Sequence, residues 1–340
     1  MLLIPFETGA QEGEGLPTPV EVGFLSTGGL ALDVAAAGGL AYVAARSYGL
    51  LVIDASVPAA PVQIGRLTMA GWAYGIEVAG DIAYVATGNS GVRLIDVTDP
   101  STPTEIGVFD TPGFAYAVTL VGNLAYVADG ASGLRILDVS NPLLPTDVGG
   151  IDTPGAARKA AVAGGVAYVA DWTGGLRIID VSNPAIPVLI TSLDLGANVH
   201  GIDVVNEVAY LANYQLGLRI IDVSDPSSPV PIASLDTPNY AVSVEVRDGV
   251  AYICDSFSGV RFIDVSTPDS PFEFAEFATP DSAVGIFIEG SLAYVADTWS
   301  GLRIIDLGLE PVGICGDELS DGEPCSDGDV CNASGTCVGG

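Results

Sequence analysis

Residues 167–184 read Ala-Tyr-Val-Ala-Asp-Trp-Thr-Gly-Gly-Leu-Arg-Ile-Ile-Asp-Val-Ser-Asn-Pro, and variants of this phrase return at a fixed interval along the chain. Its tyrosine recurs as Tyr42, Tyr84, Tyr126, Tyr168, Tyr210, Tyr252 and Tyr294. Its second aspartate recurs as Asp54, Asp96, Asp138, Asp180, Asp222, Asp264 and Asp306. A proline column keeps step at Pro19, Pro61, Pro103, Pro145, Pro187, Pro229 and Pro271. Every spacing is 42 residues, so seven copies fill residues 19–312, with a head of residues 1–18 and a tail of residues 313–340. A unit of about 40–47 residues suits either a helical pair or a four-stranded propeller blade, and the period inside the unit has to decide.

That inner period is the period of strands. In the copy at 103–144, the runs Thr104–Asp110, Ala115–Leu120, Leu124–Ala128 and Leu134–Val139 are each bounded by Pro, Gly, Asn or Asp. Val242, Val244 and Val246 alternate with Ser243 and Glu245, a period of two, whereas residues 124–128 and 134–139 are nearly continuous apolar runs. Continuous runs are the mark of strands covered on both faces, here by neighbouring sheets. The segment 138–145, Asp-Val-Ser-Asn-Pro-Leu-Leu-Pro, excludes helix, because each proline fixes φ and removes a backbone donor.

The ends add a separate argument. Pro19–Leu25 reads as an outermost strand with no blade of its own, and Leu302–Leu307 as a third strand lacking its fourth. Pairing them leaves no unmatched edge. The expected fold is therefore all-β, a seven-bladed β-propeller of four-stranded antiparallel blades with the N-terminal strand closing the last blade. An open β-solenoid would subdivide each unit into similar coils, and no half-repeat is visible.

With Ala-Tyr-Val-Ala-Asp followed by Gly-Leu-Arg-Ile-Ile-Asp-Val-Ser-Asn-Pro, the chain resembles the LVIVD-repeat family of bacterial and archaeal β-propellers, often found in secreted or cell-surface proteins. The resemblance implies the fold and an extracellular setting, and brings no chemistry with it. The WD-repeat signature is absent.

Composition narrows the function. The 340 residues hold 42 Asp and Glu against 11 Lys and Arg, a formal net charge of −31, yet 49% are hydrophobic. Such a chain buries a core rather than staying disordered. Its field repels phosphate backbones and anionic headgroups, no run of basic residues offsets it, and the apolar runs fall short of the ~18 residues that span a bilayer. No nucleic-acid or membrane partner is expected, and the chain is read as a monomer.

Columns shared by the copies serve the fold, and columns that differ give the molecule its individuality. Arg93, Arg135, Arg177, Arg219, Arg261 and Arg303 share one column, with Leu51 in the first copy. Asp129, Asp171, Asp255 and Asp297 stand six residues earlier, with Asn213 in the fifth copy, which points to structural Arg–carboxylate pairing within or between blades. The Asp54 column precedes Ser or Thr at a strand end, where a carboxylate accepts turn N–H groups; a cation-binding ring is the weaker reading.

Variation concentrates in the loop leading into the innermost strand and the turn between the second and third strands. The first carries Trp72, Phe114 and Tyr240 in one column, and Tyr74, Tyr116, Arg158 and His200 in another. The second carries Tyr48, Trp172, Tyr214, Phe257 and Trp299. Both emerge on one propeller face, so aromatic rings gather at one end of the channel and suit a carbohydrate or protein ligand, unless they simply plug the mouth. Arg158, Lys159 and His200 form a candidate anion-binding spot, against the commoner reading of cations on a solvated rim. Asp33 and Glu77 are the candidate acid/base pair of a rival hydrolase or lyase. No nucleophile motif and no metal-ligand spacing accompany them.

Cys315, Cys325, Cys331 and Cys337 crowd the tail, which reads as a disulfide-held loop of an oxidising compartment; no C-x2-C knuckle points to zinc. Asp317, Asp321, Asp327 and Asp329 offer calcium ligands without the EF-hand pattern, and no other cofactor is expected. Cys254 replaces a strand alanine and is read as core. The head lacks a basic residue and a cleavage site, so an export signal upstream of it, or a mature or truncated chain, is expected ahead of a cytosolic protein. The leading function is a non-enzymatic binding or scaffold propeller of the cell exterior. A hydrolase or lyase and a purely structural repeat are the alternatives.

Overall fold

Short apolar runs closed by Pro- and Gly-rich turns fold as antiparallel meanders, and seven of them make a ring. The computed structural model describes residues 18–308, together with the backbone of a two-stranded ladder, Val330–Cys331 with Cys337–Val338. Residues 18–308 form seven four-stranded antiparallel sheets. Blades 1 to 6 each run in chain order from innermost to outermost strand, blade 1 from Asp33–Ala37 to Val62–Leu67. Blade 7 takes its three inner strands from Ala283–Glu289, Leu292–Asp297 and Gly301–Asp306, and its outermost from Val20–Leu25. Val20 faces Asp306 and Leu25 faces Leu302, so the seam is one plus three, as the chain ends require.

Strand limits in the copy at 103–144 fall at Thr104–Phe109, Ala117–Val121, Leu124–Ala128 and Leu134–Asp138. The innermost strand begins two residues later than the apolar run suggests. Ala115 is drawn sideways instead, into a bridge with Gly88 on the preceding blade. Seven such bridges, from Arg46 with Ala73 round to Ala31 with Thr298, link each second-to-third turn to the next blade's lead-in loop and place both loop sets on one face.

The core lies between sheets rather than within one. Tyr294, Ala296, Leu302 and Ile304 of blade 7 share a buried cluster with Val34, Ala41, Val43, Leu51 and Ile53 of blade 1, and the pattern repeats around the ring. The strand alanines, fully buried, let the sheets approach while the tyrosine column fills the wedge beside them. One glycine column closes the second-to-third turn: Gly49, Gly91, Gly133, Gly175, Gly217, Gly259 and Gly301 all have φ between 70° and 86°. A Cβ there would meet a backbone carbonyl of the outermost strand, so only glycine fits. Cys254 is fully buried, as a small core residue should be. Among the described residues no helix is long and apolar enough to cross a membrane. Cys315 and Cys325 lie outside the described residues, as do Asp317, Asp321, Asp327 and Asp329; Cys331 and Cys337 are cross-strand partners in the short ladder.

Candidate functional site

The shared polar columns are occupied by the fold. In the column of Asp54, all seven carboxylates accept the backbone N–H two residues on, at 2.8–3.0 Å, which closes the turn. Hydrogen bonds from the following Ser or Thr hold Asp54, Asp96, Asp138, Asp180 and Asp222 below the usual carboxylate range. The arginine column pairs within each blade. Arg177 meets Asp171 at 3.2 Å, Arg261 meets Asp255 at 3.6 Å and Arg303 meets Asp297 at 3.4 Å. Arg93, Arg135 and Arg219 turn outward to Asp110, Asp152 and Asp236, at 3.0–3.2 Å, so Arg135 departs from the expected pairing with Asp129. The fully buried aspartates fasten the inter-blade loop: Asp129 and Asp171 each accept a threonine hydroxyl and a glycine N–H from the loop that enters their blade.

The innermost strands enclose a channel with a cavity of about 500 Å3. An innermost strand is a sheet edge, so it presents unpaired N–H and C=O groups to this space. Polar side chains of one blade satisfy those of the next. Asp33 accepts the N–H of Ile76 at 3.0 Å, Glu77 that of Leu120 at 3.4 Å and Asp203 that of Val246 at 2.8 Å. The Thr119 hydroxyl donates to the Ala160 carbonyl, and His200 Nδ1 lies 2.7 Å from the Val242 carbonyl. Burial pushes the Glu77 and Glu245 carboxyls up to about 7, with Lys159 opposing, and raises Asp33 as well. Among the described residues no three His, Cys, Asp or Glu side chains gather as a metal site. Asp33 and Glu77 thus share the wall, and each accepts an N–H from the strand edge of the next blade.

Glu77 titrates near 7 in the fold against an ordinary value of 4.5. Its protonated form therefore favours the folded chain fully below pH 4.5, and that contribution is lost as the pH rises towards 7. Glu77→Gln keeps an acceptor for Leu120 and removes the buried charge. We expect it to stabilise the protein by about 1–2 kcal/mol at pH 8, discounted for water in the channel, and to change nothing at pH 4.5, as read by paired thermal melts. An equal shift at both pH values would show that the charge is irrelevant.

At the loop face the variable aromatics form one continuous arc. The Arg46 guanidinium lies 4.1 Å from the Trp72 ring and also reaches the Tyr74 hydroxyl. Tyr74 meets Phe114 edge-on at 4.8 Å, and Phe114 packs on Tyr116 at 4.5 Å. Arg158 then sits between Tyr116 and Trp172, at 4.0 and 4.7 Å from their centroids. Trp172 contacts His200 at 5.6 Å and Tyr214 at 5.2 Å, and Tyr214 stacks on Tyr240 at 4.3 Å and 6°. Tyr74, Phe114, Tyr116, Trp172 and Tyr214 are half-buried, and Trp72 and Tyr240 are exposed, so none of the rings is sealed. The arc spans the turn of blade 1 and the loops of blades 2 to 6.

Its backbone is strained at three points. Arg46, Trp172 and Tyr214 occupy one column at φ 45°, 47° and 39°, a left-handed region that disfavours large side chains. Gly88 and Gly130 fill the same column in blades 2 and 3, at φ 63° and 57°. Paired bridge hydrogen bonds hold the conformation; Trp172 and Val199 exchange two, both at 3.1 Å.

LVIVD repeats match residues 28–68, 70–111, 112–153, 154–194, 196–237, 238–279 and 281–308. The chain belongs to the LVIVD repeat family. No curated protein matches it. Among solved structures it is similar to the computationally designed Ika8 protein, with a TM-score of 0.62 and 6% identity over 84% of this chain and 98% of that one. It is also similar to a chain of the Mitotic Checkpoint Complex, with a TM-score of 0.68 and 11% identity over 89% of this chain and 98% of that one. At such identities the similarity concerns the fold alone.

Set on this LVIVD propeller, the sequence candidates divide. Trp72, Tyr74, Phe114, Tyr116, Arg158, Trp172, His200, Tyr214 and Tyr240 meet in the arc. Phe257 and Trp299, 67% and 68% exposed, stand apart from it on blades 6 and 7, and Tyr48 lies under Arg66 instead. Lys159 lines the cavity below the mouth rather than its rim. Burial and the nearby Arg158 push His200 down to about 4, so it is neutral at physiological pH and contributes no charge to an anion spot. Sequence reading missed Arg46, Asp203 and Glu245. The left-handed column was the signal for Arg46, since two of its seven members are glycine.

Proposed function

We propose that this LVIVD propeller is a non-enzymatic binding or scaffold module of the cell exterior that engages a glycan or protein partner through the aromatic arc at its channel mouth. The observation that carries this reading is the placement of three large side chains, Arg46, Trp172 and Tyr214, at left-handed backbone positions that the other blades fill with the small residues Gly88, Gly130, Ser256 and Thr298. Holding bulky residues there costs about 1–3 kcal/mol each, and rings needed only for packing would be cheaper on the strands. Half-exposed rings in mutual contact supply a rigid, amphipathic surface, suited to stacking and to polar rims alike. Family membership and the acidic surface support an exterior setting.

The test compares the parent, a Trp172→Ala/Tyr240→Ala variant and a Trp299→Ala control on glycan arrays and against purified envelope proteins. Ligands of the parent should bind the double variant at least about tenfold more weakly and bind the control unchanged. Undiminished binding of every ligand by the folded double variant would overturn the reading.

A further inference from the structure

Basic residues in this chain are scarce, and most are neutralised. Of the 11, Arg93, Arg135, Arg177, Arg219, Arg247, Arg261 and Arg303 have a carboxylate within 4.0 Å. Arg46, Arg66, Arg158 and Lys159 have none among the described residues. In a chain of net charge −31, an arginine without an acid at hand is informative. Two of these four are built into the arc, and Lys159 lines the cavity beneath it.

Arg158 is the most telling. Two rings grip its guanidinium, its Nε is sealed from solvent without a hydrogen-bond partner, and its side chain donates no hydrogen bond among the described residues. Stacking holds the planar fork in place while leaving its donors unspent. A fork of this kind matches a carboxylate, which accepts two parallel N–H bonds, and the exposed rings of the same arc match the apolar face of a pyranose.

Resting on the binding role proposed above, we infer that the ligand of the mouth is an acidic sugar, its carboxylate held by Arg158 and its sugar rings packed against the exposed rings of the arc, Trp72 and Tyr240. The long-range field sets the length of that ligand. Extended polyanions are repelled by the net charge, whereas a contact ion pair acts well inside the screening length of about 8 Å at physiological salt. A terminal or short uronate unit meets both conditions, and the single charge of a carboxylate is repelled less than the charge of a phosphate.

Calorimetric titration with trigalacturonate and with its methyl ester separates charge from stacking, because the two share their rings. The parent should bind the acid at least about tenfold more tightly than the ester. Arg158→Gln should bring the acid down to the ester's level, with Arg158→Lys recovering only part of the loss because it cannot pair bidentately. Thermal melts establish that the variants fold, and the ester comparison on the parent needs no variant. The inference is overturned if the parent binds acid and ester equally, if it binds none of the galacturonate, glucuronate and mannuronate trimers, or if a sulfated trisaccharide or hexaglutamate binds better. Loss of a neutral glycan or a protein ligand in Trp172→Ala/Tyr240→Ala, with Arg158→Gln silent, would retain the binding face and reject the acidic sugar. Arc variants without effect on any ligand would reject both.

Discussion

Replacing Asp171 by alanine should destabilise the propeller by about 3–5 kcal/mol and lower its melting temperature by roughly 6–10 °C. Asp171 is fully buried and holds three partners: the Thr153 hydroxyl at 2.5 Å, the Gly155 N–H at 3.0 Å and Arg177 Nε at 3.2 Å. Thr153 and Gly155 belong to the loop from blade 3 into blade 4, and Arg177 to the third strand of blade 4. Truncation therefore frees the inter-blade loop, orphans two buried donors and leaves a largely buried arginine unpaired, each of them costly. Asp171→Asn should lose less, because blade 5 works with Asn213, which donates to the Leu195 carbonyl at 3.2 Å. Blade 1, with Ala45 and Leu51, dispenses with acid and arginine together, so Asp171→Ala/Arg177→Leu should recover part of the stability lost by the single change. Calorimetric melts of the three variants test this. A single alanine variant melting within about 2 °C of the parent would mean that the loop is held by its backbone alone.

The same comparison marks what the sequence disclosed. Identical spacing of Tyr42 to Tyr294 announced the blades, and the unmatched strands at either end announced the seam, because both are statements about one dimension. Pairing of Arg177 with Asp171 was legible, six residues apart across one turn. The outward pairs, such as Arg93 with Asp110, were not, since they depend on which neighbour the outermost strand brings alongside. Asp203 and Glu245 were hidden for a related reason. Asp203 satisfies the N–H group of Val246 on the next blade and Glu245 lines the same channel, and only a closed ring brings that edge and that wall together. Arg158 and Trp172 were visible as departures from the repeat, but that two rings clasp one guanidinium follows from loop geometry. Departures from the repeat identified most of the candidate face, whereas its strain and its unpaired charge are properties of the folded ring.

Deleting residues 1–26 should have the largest effect of all, the loss of the closed ring. The strand Val20–Leu25 comes from the far end of the chain and is the fourth strand of blade 7. Without it, Gly301–Asp306 becomes an edge with a row of unpaired backbone groups. Val22 and Leu25 leave the cluster shared by blades 7 and 1, and Arg303 loses both Glu21 at 3.4 Å and the Phe24 ring at 4.9 Å. Blade 7 would keep only three strands at the one place where the ring has to close, and a flat apolar edge pairs readily with another chain. Light scattering after size exclusion should show a larger mass for the deleted chain than for the parent, as oligomers or aggregate. A synthetic peptide of residues 18–27, added in trans, should restore the mass of the parent by strand addition, since it carries the whole register from Val20 to Leu25. A scrambled peptide should not. If the deleted chain keeps the mass of the parent and melts with it, the closure of the ring rests on blade-to-blade packing and not on the seam. The seam is the stronger expectation, because every other blade is continuous in sequence and this one alone is closed by a strand from across the chain.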